Sequence, residues 1–241
     1  MNPTLSIVIP AREEERSIEA TIRQFEELRI PHEVIVCDAQ SSDRTAEIAR
    51  AAGAAVVVDS SGIRRAAQQR NTGASAARGT FLVFVDVTVR FPAINTFFER
   101  ALRYFSDPRF AGVGGAQWIE PSVATWTDWI MLTITNWSLR YQNNVQHRGI
   151  CSGKFQMVRR ESFEQIGGYD ITLVTGEDHD LFERLGKRGT VFLDKKLAYY
   201  YSGRREHAWG WLRLIRYWMR DKAAIAATGH SYTDDWAPIS K

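Results

Sequence analysis

The sequence predicts an α/β fold: a mostly parallel sheet flanked by helices, in a single domain. Two observations predict it. Through the first 90 residues, short β-branched runs alternate with segments of helical apolar spacing, and strands alternating with helices pair in parallel through right-handed crossovers. The chain has 241 residues, 44% hydrophobic and 24% charged. That is the balance of an ordinary globular protein, and no repeat, low-complexity stretch or linker divides it.

Leu5 to Ile9 is a β-branched run ended by Pro10, and it reads as a buried strand. From Glu13 to Leu28 the apolar residues Ile18, Ile22, Phe25 and Leu28 keep helical spacing, with acidic residues in the first turn. Val34 to Cys37 is the second strand. Ser42 and Asp43 are N-cap types, so a helix follows to Arg50, and Gly53 stops it. Ala55 to Val58 is the third strand, Arg64 to Arg78 an Ala-rich helix, and Phe81 to Val85 the fourth strand. Further on, Gly112 to Gln117, Phe155 to Arg159 and Val191 to Leu193 read as strands. Residues 122–147, Glu177 to Lys187 and His207 to Thr228 read as helices.

Composition excludes a disordered tail, a collagen-like chain and a coiled coil. The formal charge of +3 is mild and does not point to nucleic acid. Two cysteines, Cys37 and Cys151, are too few for a disulfide framework and favour a reducing, cytoplasmic compartment. No Cys/His spacing suggests zinc. The run Leu5 to Ile9 is too short for a signal peptide, and no stretch approaches the roughly 18 apolar residues of a membrane span.

In an open α/β sheet, ligands bind outside the carboxyl ends of the strands. The residues expected there are Pro10 to Glu13, Asp38 to Ser41, Asp59 and Asp86. Aspartates at three strand ends make this edge the candidate site.

Several segments resemble family 2 glycosyltransferases. Ser6-Ile-Val-Ile-Pro-Ala-Arg-Glu-Glu14 is similar to the family's opening strand and Pro-x-x-Asn-Glu turn, with Glu13 where Asn is usual. Asp38-Ala-Gln-Ser-Ser-Asp-Arg-Thr45 resembles Asp-Gly-Ser-Ser-Asp-x-Thr, and Arg70-Asn-Thr-Gly-Ala74 resembles Arg-Asn-x-Gly. Gly167-Gly-Tyr-Asp170 and Gly176-Glu-Asp-His-Asp-Leu181 resemble the segment that ends in the catalytic Glu-Asp pair. The matches run in family order over about residues 4–220. One departure stands out: the Asp-x-Asp metal motif is here Asp86-Val-Thr88, without its second carboxylate.

The resemblance implies the GT-A fold, a Rossmann-like sheet, and an inverting transfer of sugar from a nucleotide-sugar donor. UDP is favoured and GDP is the alternative; the acceptor is a sugar or lipid-linked hydroxyl, or a lipid phosphate. It divides the chain into a nucleotide-binding half (1–90), an acceptor and catalytic half (91–206) and a C-terminal helix and tail (207–241). Asp38 is expected on a base N–H, with Pro10, Ala11 and Glu13 lining the same pocket and Arg70 reaching the base or diphosphate. Asp86 is expected to hold a divalent cation, Mn2+ or Mg2+, with His207 as a second ligand. Arg204 and Arg205, on a Gly-containing turn, are expected on the diphosphate, because arginine forks match phosphate oxygens. Gly153 and Lys154 are expected to face donor sugar or acceptor. Asp178, beside Glu177, is the expected base for the acceptor hydroxyl, and four titratable residues in a row raise one pKa. Other readings are a sugar nucleotidyltransferase or a non-catalytic nucleotide-sugar-binding protein. The first wants a Gly-rich basic loop after the first strand, and Pro10 to Glu15 is acidic. The intact Glu177-Asp178 pair speaks against the second.

Seven of the eight tryptophans lie in windows 118–137 and 209–218. On the last helix Trp211, Leu214, Ile215 and Trp218 share a face, and Arg213, Arg216 and Arg220 share another. A basic amphipathic helix with tryptophan reads as interfacial, at the cytoplasmic face of a membrane. The alternative is that these aromatics are core or acceptor-pocket residues.

Overall fold

The structure is a computed structural model and describes residues 3–229 and 231–233. Tail residues 230 and 234–241 lie outside the described residues. Among the described residues the strands are β1 (Leu5–Ala11), β2 (His32–Asp38), β3 (Ala55–Val58), β4 (Phe81–Val85), β5 (Phe110–Ile119), β6 (Phe155–Arg159) and β7 (Thr190–Tyr201). They form one sheet in the order β3-β2-β1-β4-β6-β5-β7. Only β6 runs antiparallel to its neighbours, so the carboxyl ends of the other strands share one edge. The reversed β6 begins at that edge, where Phe155 pairs with Val85. The sheet therefore collects Asp38, Asp86, Lys154 and Ser202 along one rim, although they are far apart in sequence.

The helices are α1 (Ile18–Arg23), α2 (Thr45–Ala51), α3 (Ala66–Ser75), α4 (Ile94–Tyr104), α5 (Trp126–Arg140), α6 (Arg160–Gln165), α7 (Glu177–Gly186), α8 (Arg204–Trp209) and α9 (Trp211–Thr228). They cover both faces of the sheet. Side chains alternate along β1: Ile7 and Ile9 join a core with Phe91, Phe98 and Phe155, and Val8 joins an opposite core with Phe84, Phe163 and Phe182.

Several expected boundaries move. The first helix begins at Ile18 rather than Glu13, because the neighbouring loop captures the preceding N–H groups. Glu13 N–H donates to Ser41 Oγ (3.0 Å), Glu14 N–H to Thr45 Oγ1 (2.8 Å) and Glu15 N–H to Asp43 Oδ2 (3.1 Å). Helix α4, buried through Ile94, Phe97, Phe98 and Ala101, was not anticipated, nor was α6. The short strand expected at Val191 to Leu193 extends to Tyr201, across a shift in register between Gly115 and Ala116 of β5. The last helix is two: α8 starts at Arg204, and Gly210, at φ 75°, breaks it from α9.

The tryptophans of α5 are not core residues. The helix buries Asp128, Leu132 and Asn136, and leaves Trp126, Trp129 and Trp137 76%, 63% and 64% exposed. On α9, Leu214 is buried and Trp211 packs partly against the core, while Leu212 and Met219 face outward. No helix among the described residues is long and apolar enough to cross a membrane.

Candidate active site

Arg70 is the centre of the site. It lies on α3, which packs closely on β1 at Gly73, where an added Cβ would sit 2.5 Å from Val8 Cγ1. That contact aims the Arg70 side chain, 3% exposed, along the rim. Its Nη1 donates to Glu177 Oε1 (2.6 Å), and its Nη2 to Asp86 Oδ1 (2.8 Å) and Gly153 O (3.3 Å). The guanidinium also lies 5.3 Å from the centre of the Tyr169 ring. The expectation that Arg70 reaches base or diphosphate is therefore corrected: its fork joins the end of β4 to the start of α7. Neighbouring Asn71 locks the Gly-Gly-Tyr turn, donating to Tyr169 O (2.8 Å) and accepting from Tyr169 N–H (2.9 Å).

Glu177 and Asp178 open α7 after Gly176, which takes φ 79°. Burial raises the Glu177 pKa above its ordinary value and the Asp178 charge adds to the rise, with Arg70 pulling the other way. The raised carboxyl expected in this acidic run is thus Glu177. Asp178 is partly open, with 19% of its side chain exposed. Its Oδ2 accepts the Gly153 N–H (2.6 Å) and its Oδ1 the His179 N–H (2.8 Å). Gln156 holds the same turn from β6: its Nε2 donates to Asp178 O (3.1 Å), and its Oε1 accepts from the Tyr169 hydroxyl (2.5 Å). Gly153 is closely packed, since a Cβ there would lie 3.1 Å from both Arg70 Nη2 and Asp178 Oδ2. Lys154 lies over the Tyr201 ring (4.3 Å), with Nζ 3.8 Å from Glu206.

At the nucleotide end, Asp38 is 2% exposed. Its Oδ2 accepts the Ser41 N–H (3.1 Å), and its Oδ1 is buried without a partner. Such an orphaned acceptor suits a ligand N–H. Pro10 and Ala11 end β1 beside β2 residues Cys37 and Asp38. Glu13 takes φ 55°, a left-handed conformation that Asn tolerates better than Glu. Its carboxylate accepts the Ser42 N–H (2.7 Å) and so ties two loops together.

Two further expectations are corrected. His207, expected as a second ligand of the cation, is committed elsewhere: its Nε2 is 2.9 Å from Asp128 Oδ2 on α5. Burial opposes ionisation of Asp128, but hydrogen bonds from Thr125, His207 and Trp211 outweigh it and hold its pKa at about 2. Arg204 is committed to Glu14, with Nη2 2.6 Å from Oε1. Arg205, its neighbour on the same turn, holds its guanidinium 5.2 Å from the Trp209 ring. Thr88, which stands where the second carboxylate would be, takes φ 76° and shares a hydrogen bond with Ser202 Oγ (3.0 Å).

For a divalent cation the fit is partial. Among the described residues no three His, Cys, Asp or Glu side chains converge. Asp86 offers Oδ2, because only Oδ1 is taken by Arg70. Magnesium often takes only one or two protein carboxylates, with phosphate and water completing its shell. A cation here would rest on Asp86 and on the bound diphosphate.

Sequence reasoning missed Glu14, Gln156 and Tyr169. The charge complementarity between Glu14 and the Arg204-Arg205 turn was the available signal for the first. Tyr169 stands in the Gly167-Gly-Tyr-Asp170 segment, which was its signal, and nothing in the sequence signalled Gln156.

A sequence model described as glycosyl transferase family 2 matches residues 6–167. No curated protein matches the chain. Among solved structures it resembles a mannosyltransferase from Pyrobaculum calidifontis in complex with GDP-mannose and Mn2+, at 19% identity and a TM-score of 0.66, over 92% of this chain and 65% of that one. It also resembles glucosyl-3-phosphoglycerate synthase from Mycobacterium tuberculosis in complex with Mn2+, UDP-glucose and phosphoglyceric acid, at 20% identity and a TM-score of 0.62, over 96% and 82%. TarS of S. aureus matches at 17% identity and a TM-score of 0.65, but the chain spans only 39% of its length. At these identities the structural likeness shows the fold.

Proposed function

Because the chain belongs to glycosyl transferase family 2, we propose that it transfers a sugar from a nucleotide-sugar donor to an acceptor hydroxyl with inversion. The observation that carries this reading is Asp178. It is a partly open carboxylate at the mouth of α7, fixed by the Gly153 and His179 N–H groups beside Arg70, Glu177 and Asp86.

In the proposed reaction the acceptor oxygen attacks the anomeric carbon in line, and its proton passes to Asp178. The anomeric carbon–oxygen bond breaks, and the nucleoside diphosphate leaves with the bonding pair. Arg205 offsets the charge that develops on the diphosphate. A divalent cation, Mn2+ or Mg2+, held on Asp86, would neutralise the same charge as a Lewis acid. Glu177 and Arg70 do not touch the reacting atoms; they fix Asp86 and the start of α7. An acceptor that is already an ionised lipid phosphate needs no base, and Asp178 then only positions groups.

The buried, unpartnered Oδ1 of Asp38 supports nucleotide binding at the ends of β1, β2 and β4. UDP is the favoured nucleotide and GDP the alternative; the structural neighbours solved with UDP-glucose and GDP-mannose span both. Calorimetry with UDP and GDP, with and without Mn2+, tests the reading, and no heat with either at millimolar ligand removes it. Asp38→Ala should weaken binding by about 1–3 kcal/mol, the cost of an unmade buried hydrogen bond. The exposed tryptophan face of α5 supports peripheral contact with a cytoplasmic membrane surface, since tryptophan favours the headgroup level.

A further inference from the structure

A cleft of about 610 Å³ opens between α8, the start of α9 and residues 232–233. That volume suits a small-molecule ligand. Its walls carry three aromatic rings, Trp209, Tyr217 and Tyr232, and three guanidiniums, Arg213, Arg216 and Arg220. The arginines recur three and four residues apart, so they stand on one side of α9. Among the described residues none of the three forms an ion pair with a carboxylate. Three like charges within two turns repel one another, and an anion in the cleft would offset that repulsion.

A solvated arginine face needs no fixed walls, but these walls are fixed. The Trp209 ring lies near two guanidiniums, Arg205 at 5.2 Å and Arg213 at 4.9 Å. Tyr217 meets Trp209 edge to face at 5.9 Å, and its hydroxyl lies 2.7 Å from Thr233 Oγ1. The helix that carries the arginines is also tied to the loop that leads into the catalytic carboxylates. Asp221, one residue past Arg220, bonds the Thr175 hydroxyl and accepts the Tyr232 N–H (2.7 Å). Thr175 stands two residues before Glu177. A Cβ on Gly176 would lie 3.6 Å from Ile225 of α9.

We propose that this cleft is the acceptor site, and that the acceptor carries a phosphate. Arg213, Arg216 and Arg220 grip the phosphate, and Trp209, Tyr217 and Tyr232 pack on the rest of the molecule. A hydroxyl of the same acceptor then reaches Asp178. This rests on the glycosyltransferase reading, which alone gives the cleft an acceptor to hold. A phosphate with nearby hydroxyls exists both as a soluble monoester and as a lipid headgroup.

The test uses the full chain saturated with UDP, so that a phosphate probe cannot enter the donor site. In one arm glycerol 3-phosphate is titrated by calorimetry. In the other, phosphatidylcholine–phosphatidylglycerol vesicles are cosedimented, with pure phosphatidylcholine vesicles as control. Binding in either arm supports the proposal and names the source, provided that Arg216→Gln/Arg220→Gln weakens it at least about tenfold, the loss expected for charged hydrogen bonds. UDP affinity should stay within about twofold, because the donor site is not touched. Arg29→Gln/Arg103→Gln removes the same charge from exposed positions elsewhere and should leave probe binding intact. No binding in either arm, or equal loss in both double variants, overturns the proposal. Absence of UDP and GDP binding is a separate result of the same titrations, and it strikes the reading on which the proposal rests.

Discussion

Replacing Arg70 with Met should destabilise the fold and make its stability depend on pH. The guanidinium, 3% exposed, holds two carboxylates at once: Glu177, 11% exposed, and Asp86, 39% exposed. Removing one partner of a buried pair costs about 3–5 kcal/mol, because the other charge stays behind. Water reaches Asp86, so the cost should be set by Glu177 alone and should not double. In a domain of this size each kcal/mol shifts Tm by about 2–4 °C, so the expected loss is about 6–20 °C. The pH dependence follows from Glu177, whose folded pKa already lies above the ordinary value of 4.5. Across that window the folded state binds more protons than the unfolded state. Its contribution is therefore full below pH 4.5 and is lost as pH rises through the folded pKa. Arg70→Met removes the cation that restrains the pKa, so the window extends to higher pH. The Tm gap to wild type should widen from pH 5 to pH 8. Arg70→Lys should fall between, since one ammonium cannot reproduce the fork. Differential scanning calorimetry at both pH values decides it. A gap under about 3 °C at pH 8, or equal gaps at pH 5 and pH 8, would show that Arg70 does not carry this cluster.

Asp178→Asn should cut turnover by about 10²–10⁴ while leaving nucleotide affinity nearly unchanged, as the amide oxygen still accepts the Gly153 N–H. Near wild-type rates in a single-turnover assay would point to a phosphate nucleophile or to another base. Thr88→Asp should raise Mn2+ affinity in the nucleotide complex, because it adds a charge and because Asp accepts the φ of 76° better than a β-branched residue. Titration followed by electron paramagnetic resonance reads this, and an unchanged affinity would mean that position 88 does not face the cation. Trp129→Ser/Trp137→Ser should leave Tm nearly unchanged, because both rings are exposed. It should abolish flotation with anionic vesicles if α5 meets a membrane, and unaltered flotation would end that assignment.

The local code decided much of this protein. Apolar runs placed β1, β2 and β4, because a strand that is buried on both faces has little choice of residue, and β-branched composition alone placed the edge strand β3. The alternation with helices then put Asp38 and Asp86 on one rim, since parallel pairing aligns carboxyl ends. The motif order marked Glu177 and Asp178. What each polar side chain does was decided only by the tertiary structure. Arg70, Arg204 and His207 are all suited to phosphate or metal, yet each finds an anion of the chain itself: Asp86 and Glu177, Glu14, and Asp128. Those partners lie 16 to 190 residues away in sequence, and no local pattern reports them. The tryptophans show the same division. Spacing can put Trp126, Trp129 and Trp137 on one side of a helix, but only the docking of Asp128, Leu132 and Asn136 onto the sheet shows that this side faces outward. Propensity and periodicity are properties of a segment, whereas charge pairing and burial belong to surfaces that meet only when the chain has folded.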